Sequence, residues 1–355
     1  MKKVYTEKKH KLRQERTRKR QERKLKKSHH SHKNDRKAAD FRQTQHKNIT
    51  LTAPKDFRLI ENTEECLLFF RNLRDSKHMS IKGMLQYVVM SLRNVQKVDY
   101  AAVSVLTAIS DDLAFKNIIV KGNLPDDSFC KNYFIGSGYL NRLFTINGER
   151  FPTSAKSELI FFEKGADIFS DQQNKKISNL VKNVVKHLTD KEQHWPPLKT
   201  VILEICGNTI EWGDAANKQW SLGVKYETDK VIFTVTDVGR GILETLYKKP
   251  QLKLKDAITL KSDDEILKGA FDQKYGSTSK EINRNKGLPA VKENFQQGII
   301  KALKVLTNNV ILHFDKDKES SSFRRGAPRF KGTFYQWEVT KECITTKLNE
   351  RNESN

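Results

Sequence analysis

A stripe of aliphatic side chains between Asp171 and Thr189 limits what this 355-residue chain can fold into more than any other feature. Its members recur at every third or fourth position, the spacing that places side chains on one face of an α-helix. The spacing therefore predicts an amphipathic helix over 171–189. The stripe consists of Ile177, Leu180, Val181, Val184, Val185 and Leu188.

A second pattern, further along the chain, predicts a β-hairpin. Val231, Phe233 and Val235 alternate with other residues as in a half-buried strand, and residues 222–226 supply its partner. The second strand runs into Asp237-Val238-Gly239-Arg240-Gly241-Ile242. An aspartate carboxylate can accept a hydrogen bond from an adenine amino group, and glycines let the backbone turn tightly against a flat ring. The end of this strand is therefore a candidate nucleotide contact.

A predicted helix that begins near Leu198 carries a pair of oxygen-bearing side chains. Glu204 and Asn208 are four residues apart, so they project from one face of the helix. A carboxylate and a carboxamide one turn apart can hold Mg²⁺ through hard oxygen atoms, and the carboxylate can also polarise a water or a hydroxyl group. The same pair also occurs on ordinary solvated helix faces, so its meaning depends on the segments that surround it.

Two short segments after residue 270 have the composition of phosphate-binding loops. Tyr275-Gly276-Ser277-Thr278-Ser279 is rich in hydroxyl groups, and Lys286-Gly287-Leu288-Pro289 leads into a predicted helix. Backbone N–H groups and the positive end of the dipole at a helix start favour phosphate, while Ser, Thr and Lys add donors and charge. Pro289 suits the start of such a helix.

Taken in chain order, these segments resemble the GHKL superfamily of ATP-binding domains, the fold of DNA gyrase B, histidine kinases and MutL, over about residues 165–341. The resemblance implies a two-layer α/β sandwich at 165–345 that binds ATP and Mg²⁺. It makes Glu204 the catalytic base, Asn208 the Mg²⁺ ligand and Asp237 the adenine contact. The other nucleotide-binding residues that it implies are Gly239, Gly241, Ile242, Ser277, Thr278, Ser279, Lys286, Gly287, Leu288 and Thr333.

Some positions separate the chain from particular members of the superfamily. Pro289 stands where the second glycine box usually has its second glycine, which removes one backbone N–H, and Trp212 stands where histidine is frequent. Sensor histidine kinases usually carry Asn or His at the position of Glu204, and no His-Glu phosphoacceptor pair precedes the domain. His187 is interpreted instead as a residue near a helix end that interacts with the helix dipole.

The glutamate at position 204 resembles two branches of the superfamily. In hydrolases it is the general base for water, and in anti-sigma-factor kinases it activates a protein serine hydroxyl. We favour an ATP·Mg²⁺-binding protein that hydrolyses ATP slowly and uses the bound state as a conformational switch. An anti-sigma-factor-like Ser/Thr protein kinase is the alternative. Related ATPases often dimerise, so a homodimer is compatible with the resemblance.

Residues 51–150 are predicted to form a separate, smaller α/β domain. Tyr87–Leu92 is typical of a buried strand, Ala101–Ala114 of a helix and Ile118–Val120 of a second strand, an order that indicates a parallel α/β unit. With Val98–Val103 entering the helix, the segment resembles a STAS-type domain, the fold of anti-sigma-factor antagonists. Members of that family can be phosphorylated at a Ser or Thr at the start of this helix. In this chain Ser104 lies further along the helix, so the resemblance implies a domain that docks a protein partner.

Residues 1–50 are predicted to form a basic arm, and residues 346–355 a short tail. The arm holds 19 Lys and Arg against 5 Asp and Glu, or +14 of the formal +23 of the whole chain. A segment that repels itself and lacks core-forming residues is disordered, or helical on an anionic partner. An adaptor that binds nucleic acid or a ribosome through 1–47 is therefore an alternative function. An acidic membrane surface offers the same attraction, and a solvated tail needs no partner.

Composition argues against several other classes of protein. No apolar run reaches the roughly 20 residues of a membrane span, and the charged N-terminus is unlike a secretory signal. The four cysteines are far apart without a metal-type spacing, which predicts free thiols in a reducing cytoplasm. The expected location is therefore the cytoplasm, and the fused arrangement resembles bacterial proteins. The cysteines are Cys66, Cys130, Cys206 and Cys343.

Overall fold

The computed structural model describes residues 49–82, 85–151, 160–166, 170–212, 219–248, 261–272 and 287–346. Residues 48–355 belong to one compact unit. In the described part, helices combine with both parallel and antiparallel sheets, which confirms the mixed α and β class at this coarse level. The predictions for the basic arm 1–47, for Ser277, Thr278 and Ser279, and for Lys286 lie outside the described residues.

The first half of the compact unit is built on a small, mainly parallel sheet. Among the described residues its strands lie in the order β1-β4-β6-β7, all parallel, with β3 antiparallel to β4; β2 and β5 form a separate parallel pair. The predicted strand, helix and strand are confirmed as β4, α2 and β6. The elements are β1 (Thr50–Thr52), β2 (Asp56–Phe57), α1 (Thr63–Leu73), β3 (Ser80–Lys82), β4 (Leu85–Ser91), β5 (Lys97–Val98), α2 (Tyr100–Phe115), β6 (Ile118–Asn123), α3 (Ser128–Gly136) and β7 (Phe144–Thr145).

The second half is built on a large antiparallel sheet. In the described residues its strands lie in the order β13-β12-β11-β14-β10-β9-β8, and every pairing is antiparallel. The elements are β8 (Ile160–Ala166), α4 (Asp171–Thr189), α5 (Pro196–Trp212), β9 (Gln219–Tyr226), β10 (Lys230–Asp237), α6 (Ile242–Tyr247), α7 (Asp263–Phe271), α8 (Gly287–Gln296), β11 (Lys301–Asn308), β12 (Val310–His313), β13 (Ser321–Ser322) and β14 (Phe330–Thr340).

The predicted helix and hairpin of the second half are both confirmed. Helix α4 has the predicted bounds and begins with a capping box between Ser170 and Gln173, and β9 pairs with β10 as expected. Helix α5 begins at Pro196, two residues before the predicted start at Leu198. Prolines are tolerated in the first turn because the N–H groups there have no partner within the helix.

The two faces of the large sheet pack into two different hydrophobic cores. On one face, Val231, Phe233 and Val235 of β10 pack with the aliphatic stripe of α4 and with α5. On the other face, Leu306 of β11 and Phe334 of β14 pack with α1 and α2. Because side chains of a strand point alternately to opposite faces, strands β11, β12 and β14 contribute to both cores. The large sheet is therefore covered by helices on both sides.

Helix α2 lies between the two sheets. It contacts β6 on one side and β9 and β10 on the other, and every residue from Tyr100 to Ser110 is buried. Asp99 caps its start, because one carboxylate oxygen accepts from the N–H of Ala102 at 2.7 Å. Ser104 lies in the contact with β10, where its hydroxyl oxygen accepts from the Thr234 hydroxyl at 3.0 Å. The two halves thus share one buried helix.

Candidate functional site

Asp237, the last residue of β10, is buried at the end of the large sheet. It pairs with Thr333 of β14, and only 3% of its surface is exposed. One carboxylate oxygen accepts from the N–H of Gly239 at 2.9 Å, and the hydroxyl and backbone N–H of Thr333 also donate to it. Burial raises the pKa of Asp237 to about 6, although these hydrogen bonds and the charge of Arg74 oppose the rise. The structure therefore brings Asp237, Gly239 and Thr333 together as predicted.

Gly241 follows Asp237 in a turn that admits no side chain. Its φ is +88°, in the region that favours glycine. A Cβ atom here would lie 2.6 Å from the Asn308 side-chain oxygen and 2.7 Å from both the Gly332 carbonyl and the Thr307 hydroxyl. The glycine is thus required by the close approach of β11 and β14 to the turn, and not only by the turn itself.

Two side chains at the end of β11 hold this turn in place. The Thr307 hydroxyl accepts from the N–H of Ile242 at 2.9 Å and donates to the carbonyl of Gly332 at 3.0 Å. The Asn308 amide group donates to the carbonyl of Arg240 at 2.8 Å, and its oxygen accepts from the N–H of Glu244 at 3.3 Å. Neither residue was predicted from the sequence, although the polar residues that end the apolar strand β11 were an available signal.

Asn208 and Gly287 lie in direct contact, although 79 positions separate them. Asn208 is on α5 and Gly287 is the first residue of α8, and a Cβ atom at position 287 would overlap the Asn208 carboxamide. Asn208 is 5% exposed, and its side-chain nitrogen has no hydrogen-bond partner among the described residues. A buried amide without a partner is costly, and therefore marks a place where a ligand can complete the hydrogen bonding.

Glu204 lies one turn before Asn208 on α5 and is partly exposed, so the predicted pair does share a helix. The side chains of Ile242 and Leu288, which the resemblance also implicates, are buried in the core on the α4 and α5 face of the sheet. They can therefore contribute to a site only through their backbone groups. Pro289 is the third residue of α8.

Arg74, at the end of α1, reaches the site from the first half of the chain. Its guanidinium donates to the carbonyl of Val238 at 2.6 Å and to that of Lys331 at 2.8 Å, and it lies 4.0 Å from Asp112. Burial lowers the pKa of Arg74, while the charges of Asp112 and Asp237 raise it. No sequence signal identified this residue, because its partners lie far along the chain.

Two further predictions concern single residue types. The His187 ring nitrogen Nε2 lies 2.7 Å from the carbonyl oxygen of Glu227, and its ring packs edge-on against Tyr226, so the residue has a local packing role. The four cysteines are all buried with free thiols. In the described residues, no group of three or more His, Cys, Asp or Glu side chains is arranged to hold a metal ion.

Comparison with known proteins adds no family assignment. No model of a known protein family matches the sequence, and no curated protein is significantly similar to it. Across the described parts of the chain, none of the helices has the length and apolar character that crossing a bilayer requires.

Proposed function

We propose that the chain is an ATP·Mg²⁺-binding protein of the GHKL type that hydrolyses ATP slowly and uses the bound state as a conformational switch. The observation that carries the proposal is the buried cluster of Asp237, Gly239 and Thr333 beside the turn at Gly241. A buried carboxylate at the end of a strand can accept a further hydrogen bond, including one from an amino group of a flat heterocycle. Adenine has such a group.

The surroundings of Asn208 fit a bound Mg²⁺–phosphate group. The buried side-chain nitrogen without a partner supports a ligand at this place, and the carboxamide oxygen is a hard donor of the kind that Mg²⁺ accepts. The contact with Gly287 brings this donor to the first residue of α8. Bound Mg²⁺ would supply charge neutralisation for the phosphates, and Asn208 would hold it.

The start of α8 retains most of the donors needed for phosphate. A helix leaves its first four N–H groups without partners inside the helix, and Pro289 removes one of these four. Gly287 and Leu288 keep theirs. The missing second glycine of the superfamily pattern therefore weakens this end as a phosphate site without abolishing it.

The arrangement of layers supports the same proposal. Helices α4, α5 and α8 contribute to the core on one face of an antiparallel sheet, as expected for a two-layer GHKL sandwich. The parallel strands of the first half support a STAS-like interpretation of 51–150. In this proposal Glu204 activates the attacking water, and the first half responds to the nucleotide through Arg74, which contacts the turn after Asp237.

The decisive experiment measures ATP affinity and turnover in the full chain. We expect Asp237→Asn to abolish ATP binding, because an amide presents an NH2 donor where the carboxylate only accepts. Asn208→Ala is expected to remove Mg²⁺-dependent binding, and Glu204→Ala to retain binding but lose turnover. Equal and negligible affinity in the wild type and in Asp237→Asn would refute the proposal.

The Ser/Thr kinase alternative differs in the fate of the phosphoryl group. Ser104 is 3% exposed and hydrogen-bonded to Thr234, so an internal acceptor there would require α2 to separate from the sheet. Transfer of radiolabel from ATP to a protein partner, in place of release as inorganic phosphate, would favour the kinase.

A further inference from the structure

A cleft of about 450 Å³ lies between the first half of the chain and the start of β14. We call it the basic cleft, and Asp75 is the one acidic side chain among its described lining residues. Its deepest residues, such as Phe70 and Ile109, are buried in the core. The cations that line it are Arg71, Arg74, Lys116, Arg329 and Lys331.

The charges of the basic cleft are only partly compensated. Lys116 pairs with Asp112 at 2.7 Å, and Arg74 is engaged by backbone carbonyls. Arg71, Arg329 and Lys331 are exposed and have no ion pair within the described residues. Single exposed cations are ordinary, but several that converge on one concave surface create a positive potential that concentrates anions.

The positive surface continues beyond the cleft. The connection from β13 to β14 also carries Arg324 and Arg325, both exposed, so residues 320–331 hold four Arg or Lys and no Asp or Glu. Gly326, with a φ of +96°, turns the chain between these pairs. The cleft and this connection together hold seven Arg and Lys residues, more than one phosphate group can contact, so an anion with several phosphates suits them better.

We propose that the basic cleft and the β13–β14 connection bind the phosphate backbone of a nucleic-acid strand. The guanidinium groups can each contact phosphate oxygens with two donors, and a nucleic-acid strand offers successive phosphates to several of them. The residues of this site all belong to the compact unit 48–355, and none of them belongs to the basic arm. It does not depend on ATP binding, although Arg74 contributes both to the cleft and to the turn after Asp237.

The test compares two triple variants of the full chain. Arg71→Gln, Arg329→Gln and Lys331→Gln together remove three charges from the cleft. Lys175→Gln, Lys186→Gln and Lys191→Gln remove three exposed charges from α4 and its end, on the other face of the large sheet. Both variants retain the arm 1–47, so any difference between them reports the location of the charges.

Binding of a short fluorescein-labelled oligo(dT) strand would be followed by anisotropy over a salt series. Each phosphate contact on a single strand adds about 0.7 to the slope of log affinity against log salt, so the cleft variant should lose about 2 from the slope. The control variant should keep the wild-type slope. Equal slopes in the two variants would overturn the proposal. A cleft-dependent affinity for inorganic pyrophosphate, with the oligo(dT) slope unchanged, would also overturn it in favour of a small phosphate compound.

Discussion

At the scale of single residues, Asp237 combines a stability cost with the proposed adenine contact. Its pKa is raised from the usual 3.8 to about 6 because burial disfavours the carboxylate. The folded protein therefore holds the proton more tightly than the unfolded chain does. It follows that this residue lowers stability as the pH rises from about 4 to about 6, and that the full cost, up to about 3 kcal/mol, is present at pH 7.

Replacing Asp237 should therefore change how stability depends on pH, while it abolishes nucleotide binding. We expect the free energy of unfolding of Asp237→Asn, relative to that of the wild type, to be about 1 to 3 kcal/mol higher at pH 7 than at pH 4. Urea denaturation at the two pH values measures it. Asp56→Asn is a control for which the effect on the free energy of unfolding should have the opposite sign. The Arg58 side chain lowers the pKa of Asp56, so removing this carboxylate should lower the stability at pH 7. A stability difference between Asp237→Asn and the wild type that is the same at pH 7 as at pH 4 would contradict this account.

Asn208 and Gly287 offer a second test at the residue scale. Gly287→Ala places a Cβ atom onto the Asn208 carboxamide, so we expect loss of ATP affinity and a lower melting temperature. Gly207→Ala is a matched control, since it adds the same methyl group one position from Asn208, into open space within α5. This control should stabilise the helix by about 0.5 to 1 kcal/mol and retain nucleotide binding. Equal effects of the two substitutions on ATP affinity would argue against a role for the contact.

At the scale of elements, α2 is unusual in being buried around its whole circumference over Tyr100–Ser110. It lies between two sheets, so neither of its faces meets solvent along this stretch. A charge introduced into the α2–β10 contact would be buried, and burial of an unpaired charge is strongly unfavourable. The contact can therefore be opened deliberately by one substitution.

Ser104→Asp should lower the free energy of unfolding by at least about 3 kcal/mol, because the new carboxylate would be buried against Thr234. Ser128→Asp introduces the same charge at the exposed first position of α3, where the helix dipole favours it. Chemical denaturation should therefore show a large loss for the first variant and none for the second. A small loss at position 104 would indicate that α2 separates readily from the sheet, as a phosphorylation switch requires.

At the scale of the whole molecule, the core that includes α1 and α2 also contains residues of the large sheet, among them Leu306 and Phe334. Removing the first half would leave these apolar side chains uncovered. The two halves therefore stabilise each other, and we expect them to unfold in a single transition.

The positions of the tryptophans make this expectation measurable. All four tryptophans follow residue 194, so their fluorescence reports only the second half. Leu106→Ala, in the core beside α2, should lower the fluorescence midpoint and the circular-dichroism midpoint together, with a loss of about 2 to 5 kcal/mol. Phe129→Ala, at a side chain that is 69% exposed, should change neither midpoint. A fluorescence midpoint that does not respond to Leu106→Ala would show that the halves unfold independently.

Local periodicity in the sequence was sufficient to predict many elements of this fold. Spacing within short segments was enough to predict four features. These are the bounds of α4, the β9–β10 hairpin, the strand–helix–strand unit of the first half and the position of Asp237 at the end of a strand. Such patterns persist in the structure because hydrophobic faces of period 3.6 or 2 must be buried wherever the element packs. The sequence by itself therefore determined the elements and part of the candidate site.

Only the tertiary structure decided which of these elements meet. Three contacts depend on how whole faces of the protein pack. They are the contact of Asn208 with Gly287, the hydrogen bonds from Thr307 and Asn308 to the Gly241 turn, and the hydrogen bond from Arg74 to Val238, 164 positions away. Helix α2 illustrates the same limit, since the local pattern predicted only a helix, whereas two sheets bury its residues Tyr100–Ser110 on every side. Long-range contacts of this kind are set by the fit of surfaces that no local propensity encodes.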